Sequence, residues 1–153
     1  MLTCGTLNSA TVSPDAGSLK KIFDLIKSVN EIGLPGGPVN LVQADKVRDL
    51  ATGNIVMTKL NTDPEEFKGR TLVIVDDIFD GGRTFVELAK VLKENSPDST
   101  IILIVTFGIF CRGMQGLSGL IDHVFDTDGF NTKYWDFEEN VVPDDLKYTT
   151  ISL

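Results

Sequence analysis

The stretch Thr71-Leu72-Val73-Ile74-Val75-Asp76-Asp77-Ile78-Phe79-Asp80-Gly81-Gly82-Arg83-Thr84-Phe85 decides how the rest of the chain is read. Leu72 to Val75 is an unbroken apolar run, the pattern of a strand buried on both faces in a parallel sheet. Such a strand carries charge at its end, so Asp76-Asp77 marks its carboxyl edge. Asp80-Gly81-Gly82 lets the chain turn tightly and lets ligand atoms approach bare backbone. Phe85, Leu88, Ala89 and Leu92 then fall on one face of a predicted helix, with Thr84 and Glu87 as a candidate capping box. A glycine loop that opens into a helix offers unpaired N–H groups to an anion. Carboxylates beside it suit ribose hydroxyls or a divalent metal.

Composition limits the alternatives. A chain of 153 residues with 42% apolar content is expected to form a single domain, 1–153, with a real core. No apolar run approaches a membrane span, and the amino terminus does not read as a signal peptide. Cys4 and Cys111 are far apart and lack metal-ligand spacing, as expected of reduced thiols in a cytoplasmic protein. The net charge of −8 argues against a general nucleic-acid surface. A phosphate site must therefore be local.

Elsewhere the chain alternates strand and helix signals. Thr11–Ser13 reads as a strand end, followed by a turn at Pro14–Gly17. Ser18–Val29 is a predicted helix, with Leu19, Ile22, Phe23 and Ile26 on one face. Gly33–Pro38 is a breaker-rich loop, and Val39–Val42 a short strand that Asp45–Asp49 leaves. Thr52-Gly53-Asn54 signals a turn and Ile55–Leu60 a returning arm, giving a β-hairpin near 44–60. Ile101–Val105 is a second buried strand, Gly108–Gly119 a loop with a short helix, Val124-Phe125 a strand end, and Tyr148–Ser152 β-like. This predicts an α/β fold with a mostly parallel sheet flanked by helices. Ligands in such folds lie beyond the carboxyl ends of the strands. Ser13–Gly17, Asp45–Arg48, Asp76–Thr84 and Thr106–Gly113 are all placed at such ends.

Asp76-Asp77, two residues, then Asp80-Gly81-Gly82-Arg83-Thr84 resembles the ribose-5-phosphate loop of the type I phosphoribosyltransferase fold, with Gly81 in place of a usual threonine and Arg83 of a usual glycine. Ser13-Pro14-Asp15-Ala16-Gly17, Asp45-Lys46-Val47-Arg48, Val75–Thr84 and Val105–Phe110 follow in one order. That order is similar to the C-terminal half of the ribose-phosphate diphosphokinase (PRPP synthetase) family, over roughly residues 9–128. The resemblance implies transfer of the β,γ-diphosphate of Mg-ATP to the anomeric hydroxyl of ribose 5-phosphate. It implies that Asp80, Gly81, Gly82, Arg83 and Thr84 hold the 5-phosphate, and that Asp76 and Asp77 hold the ribose hydroxyls directly or through Mg²⁺. Asp15 matches a metal- or ribose-contacting aspartate. Lys46 and Arg48 match a catalytic Lys-x-Arg pair on a mobile loop. Phe107 stands where the family usually has a histidine. The family enzyme also has a second, N-terminal domain with no counterpart here. The activity is therefore expected to need a homo-oligomer or a partner chain that supplies the missing part.

Other readings remain beside this one. Asp15 also suits a plain turn, Lys46 and Arg48 a solvated hairpin face, and His123 a structural role. A phosphoribosyltransferase that consumes PRPP shares the central loop. A non-enzymatic or remnant ribose-phosphate-binding domain fits the missing part, and another ribose acceptor such as ADP-ribose fits the same chemistry. A signalling receiver domain carries its acidic pair in its first strand, and a pair at residue 76 leaves too little chain for the remainder.

Overall fold

A computed structural model describes residues 8–33, 37–48, 51–52, 55–127 and 141–152. In chain order its elements are β1 (Ser9–Ser13), α1 (Leu19–Ile32), β2 (Asn40–Arg48), β3 (Ile55–Leu60), β4 (Thr71–Phe79), α2 (Arg83–Asn95), β5 (Thr100–Gly108), β6 (His123–Thr127) and β7 (Lys147–Ile151). Short 3₁₀ turns occur at Pro64–Glu66 and Gln115–Leu117. The strands form one seven-stranded sheet in the order β3-β2-β1-β4-β5-β6-β7. Every neighbouring pair is parallel except β2 with β3. The mostly parallel α/β fold expected from the sequence is thus observed.

The apolar run of β4 lies between two parallel neighbours, with Ile74 opposite Val12 of β1 and Leu103 of β5. Leu72, Ile74, Ile101, Leu103 and Val124 are completely buried on one face. The α2 residues Phe85, Leu88, Ala89 and Leu92 join them in the core cluster. Ile22 and Ile26 are the buried residues of α1, whereas Phe23 on the predicted apolar face is exposed.

Strands run further than their apolar cores suggest. β4 does not end at Asp76-Asp77 but continues to Phe79, because Asp76, Ile78 and Phe79 still pair with Val105, Phe107 and Gly108 of β5. The two carboxylates interrupt the apolar pattern without ending the strand, because pairing continues through them to Phe79, which is buried again. β2 likewise continues through Asp45 and Lys46 to Arg48, paired with β3 from Ala44↔Leu60 to Arg48↔Ile55. The expected hairpin is present at those positions, and Lys46 is on its strand arm. Gly53 and Asn54 of the predicted turn, Asp49, Cys4 and part of the acidic tail lie outside the described residues.

Candidate active site

From β1 the chain steps to β2 on one side, and from β4 it steps to β5 on the other. Ligand crevices of open α/β sheets form at that reversal, above the carboxyl ends of the strands. The ends of β1, β2, β4 and β5 all lie on this edge, because the strands are parallel.

The loop after β1 is built by its own side chains. The Ser18 N–H donates to Asp15 Oδ1 at 3.0 Å, and both Ser13 Oγ and Ser18 Oγ donate to the Asp15 carbonyl at 2.9 Å. Lys46 reaches across from β2 and its Nζ pairs with Asp15 Oδ2 at 2.7 Å. Burial works to raise the Asp15 carboxyl, but Lys46 and the Ser18 N–H outweigh it and hold the group below its ordinary value. Both oxygens of Asp15 are therefore engaged, and a metal ion there would have to displace Lys46. Arg48 ends β2, and its side chain lies outside the described residues.

Asp76 is half-buried, and burial pushes its carboxyl above the ordinary range. The charges of Asp15 and Asp77 push in the same direction, and only the Asp77 N–H and Lys46 oppose them. Asp77 Oδ2 pairs with Lys21 of α1 on the exposed side of the sheet, a contact that contributes little by itself. Among the described residues no group of three or more His, Cys, Asp or Glu could hold a metal ion. Asp76 nevertheless suits Mg²⁺, which is usually held by one or two carboxylates and completed by substrate oxygens. Asp15 and Asp77 are two like charges beside the half-buried Asp76 carboxylate, and a cation there would relieve the repulsion.

The loop after β4 forms the largest part of the site. Gly82 takes a left-handed conformation, φ 72°, and accepts from the N–H groups of Phe85 and Val86 at 3.0 Å. The helix therefore starts at Arg83, two residues before the start implied by the candidate capping box. Thr84 is an interior residue of the first turn, and no side chain caps α2. The Arg83 and Thr84 N–H groups have no intrahelical acceptor, so this helix end is free to receive an anion. Asp76, Asp80, Gly81, Gly82, Arg83 and Thr84 line one cleft of about 450 Å³. The proposed 5-phosphate residues are thus brought together with the first carboxylate. Asp77 and Lys46 border adjoining hollows.

The cleft also has lining side chains that the sequence did not mark as part of a site. Cys111 and Arg112 come from the turn after β5 and stand over the glycine loop. A hydrogen bond to the Asp80 carboxylate, with burial, raises the Cys111 thiol above its ordinary value. Only the placement of Thr106–Gly113 at a strand end pointed toward this turn.

The profile of the phosphoribosyl transferase domain matches residues 10–142. The chain belongs to the phosphoribosyl transferase domain family. Within the family it is 30% identical over 102 residues to a ribose-phosphate pyrophosphokinase of Aeropyrum pernix, covering 67% of this chain and 29% of the relative. It is 27% identical over 133 residues to a ribose-phosphate pyrophosphokinase of Vibrio parahaemolyticus, covering 86% and 38%. This phosphoribosyl transferase domain thus spans well under half the length of these curated relatives. A phosphoribosylpyrophosphate synthetase from Mycobacterium smegmatis shares its fold, with a TM-score of 0.69 at 22% identity, over 95% of this chain and 41% of that one. The resemblance read from the central loop is therefore supported over most of the chain. No helix among the described residues is long and apolar enough to cross a membrane.

Proposed function

We propose that this phosphoribosyl transferase domain binds ribose 5-phosphate and serves in transfer of diphosphate from Mg-ATP to its anomeric hydroxyl, giving PRPP and AMP. The observation that carries the reading is the cleft itself. The uncapped amino end of α2, Arg83 and Thr84 meet the half-buried Asp76 in one hollow. Phosphate at the helix end places a ribose ring over Asp76 and Asp77, which accept hydrogen bonds from its hydroxyls. Lys46, mostly buried and tied to Asp15, lies on β2, separated from β4 by β1. From there its ammonium can neutralise charge that develops on the transferred group, the main requirement of phosphoryl chemistry. The same role is proposed for Arg48, the second basic residue of the Lys46-Val47-Arg48 segment. Mg²⁺, held by Asp76 and substrate oxygens, supplies further neutralisation of the polyphosphate.

The reaction needs more protein than these 153 residues. The relatives are more than twice that length, so protein beyond them, whether more of the same chain, another copy or a partner, supplies the remaining nucleotide contacts in this reading. A cytoplasmic location suits these substrates. A ribose-phosphate-binding domain without transfer activity, or a domain that consumes PRPP, is the second reading, and the same shortfall in length favours it. Phosphorus NMR separates them. With ribose 5-phosphate, Mg-ATP and a chain carrying the unspanned part of a relative, PRPP and AMP signals are expected together. Diphosphate release from PRPP and a base, without synthesis from ATP, would overturn the proposal.

A further inference from the structure

Two arginines line the cleft at the glycine loop, and neither has a carboxylate partner among the described residues. Arg83 starts α2, and Arg112 comes from the turn after β5. The chain has a net charge of −8 and the cleft also holds Asp76 and Asp80, so these two arginines, unpaired among the described residues, are the side chains there that can meet an anion. We infer that Arg112 is a second cationic arm of the phosphate cradle, set opposite Arg83, and that the pair selects a doubly charged phosphate ester over a singly charged one. The inference rests on the ribose-phosphate reading of the cleft and deepens it.

The turn that presents Arg112 is firmly built. The Phe79 carbonyl accepts from the Ile109 N–H at 2.8 Å and the Phe110 N–H at 3.1 Å. Phe110 adopts φ 49°, a left-handed conformation that is strained for a bulky residue and persists only where packing enforces it. Its ring is buried against Phe79 at 4.7 Å and edge-on to Tyr148 at 5.9 Å. The ring fits because residue 108 is glycine; a Cβ there would come within 2.6 Å of Phe110 Cζ. The Gly113 N–H closes the turn on the Phe110 carbonyl at 2.8 Å. Cys111 and Arg112 are its exposed tip.

Phe79 also immediately precedes Asp80-Gly81-Gly82, so one residue anchors both the glycine loop and the turn above it. The guanidinium stem is consequently held close. A Cβ placed on Gly81 would lie 3.6 Å from Arg112 Cδ and 3.7 Å from its Nε. The Cys111 thiol holds the Asp80 carboxylate, the one anion of the loop. A phosphate on the α2 amino end then meets N–H groups from below and a planar, two-pronged donor from the side. Arginine suits this task better than lysine because its fork matches two phosphate oxygens.

The test is calorimetric titration of the full chain, and of Arg112→Gln and Arg112→Lys, with ribose 5-phosphate and ribose 5-sulfate. The sulfate ester keeps one charge where the phosphate carries close to two at pH 7.5. Wild type should prefer the phosphate ester. Arg112→Gln should weaken phosphate binding roughly tenfold or more, change sulfate binding much less, and keep the wild-type urea midpoint. Arg112→Lys should fall between. Unchanged phosphate affinity in Arg112→Gln, or equal loss for both esters, would overturn the inference while leaving the cleft assignment standing. Absence of binding to wild type would overturn the cleft assignment itself.

Discussion

Substitution of the two adjacent loop glycines should have opposite consequences. Gly82 sits at φ 72°, where an L side chain costs about 1–2 kcal/mol. A Cβ there would also come within 2.8 Å of Phe79 Cε1 and closer still to Cζ. The Phe79 ring cannot yield easily, since it is stacked on Phe85 at 5.1 Å and packed on Phe110 at 4.7 Å. Overpacking of this kind costs roughly 1–3 kcal/mol more. Gly82→Ala should therefore lose about 2–5 kcal/mol, a large share of the ~5–15 kcal/mol typical of a folded domain, with a melting temperature lower by on the order of 10 °C. Gly81 has no positive φ, and a Cβ there finds nothing nearer than 3.6 Å. Gly81→Ala should stay within about 0.5 kcal/mol of wild type, yet its methyl narrows the cleft beneath Arg112. Its ribose 5-phosphate affinity should drop by roughly tenfold, because small misplacements at such sites are costly. Urea denaturation and calorimetry on both variants decide the matter. A wild-type midpoint for Gly82→Ala would refute the strain argument. Comparable instability in Gly81→Ala would refute the division between a structural and a ligand-facing glycine.

Three further outcomes are expected. Lys46→Ala should lower diphosphate transfer in the complemented enzyme by roughly 10²-fold or more while changing ribose 5-phosphate affinity little; equal losses in both would place Lys46 in ribose binding. Asp76→Asn should raise the urea midpoint near pH 7. A carboxyl raised by burial makes the native state bind more protons than the unfolded one, so stability falls as pH rises from the ordinary value of 3.8 through the raised one. The gain of the amide should disappear as pH approaches 3.8, and ribose 5-phosphate binding should be lost throughout; a pH-independent midpoint difference would contradict this. Tyr148→Phe removes the hydroxyl that donates to the buried Asp126 at 3.0 Å and whose own ionisation burial pushes up to about 12. It should cost about 1–3 kcal/mol by urea denaturation, and no measurable change would show that the hydroxyl is dispensable.

Much of this site was legible because it is local in sequence. The apolar run, the carboxylate pair, the glycines and the periodic face of α2 follow one another between Thr71 and Leu92, and each uses only its neighbours. Element ends were less legible. β4 runs past Asp77 because its pairing with β5 continues to the buried Phe79, and β2 runs past Lys46 because its pairing with β3 continues to Arg48. The candidate capping box was misplaced since Gly82, free to adopt a left-handed conformation, starts the helix earlier than Thr84 could. The exposed Phe23 departs from its helical face because α1 buries only a narrow stripe, Ile22 and Ile26. Arg112 could not be read at all from spacing. Its position over Gly81 depends on Phe110, a residue whose strained conformation has no signal in composition or periodicity and exists only through tertiary packing with Phe79 and Tyr148.

The central claim is that the cleft between Asp76 and the amino end of α2 is a ribose-phosphate site. It is tested most directly by calorimetric titration of the purified chain with ribose 5-phosphate and Mg²⁺, alongside Asp76→Ala. Saturable binding to wild type, one ligand per chain, is expected, with the binding lost in Asp76→Ala. Absence of binding to the wild-type chain, or equal binding to the variant, would contradict it.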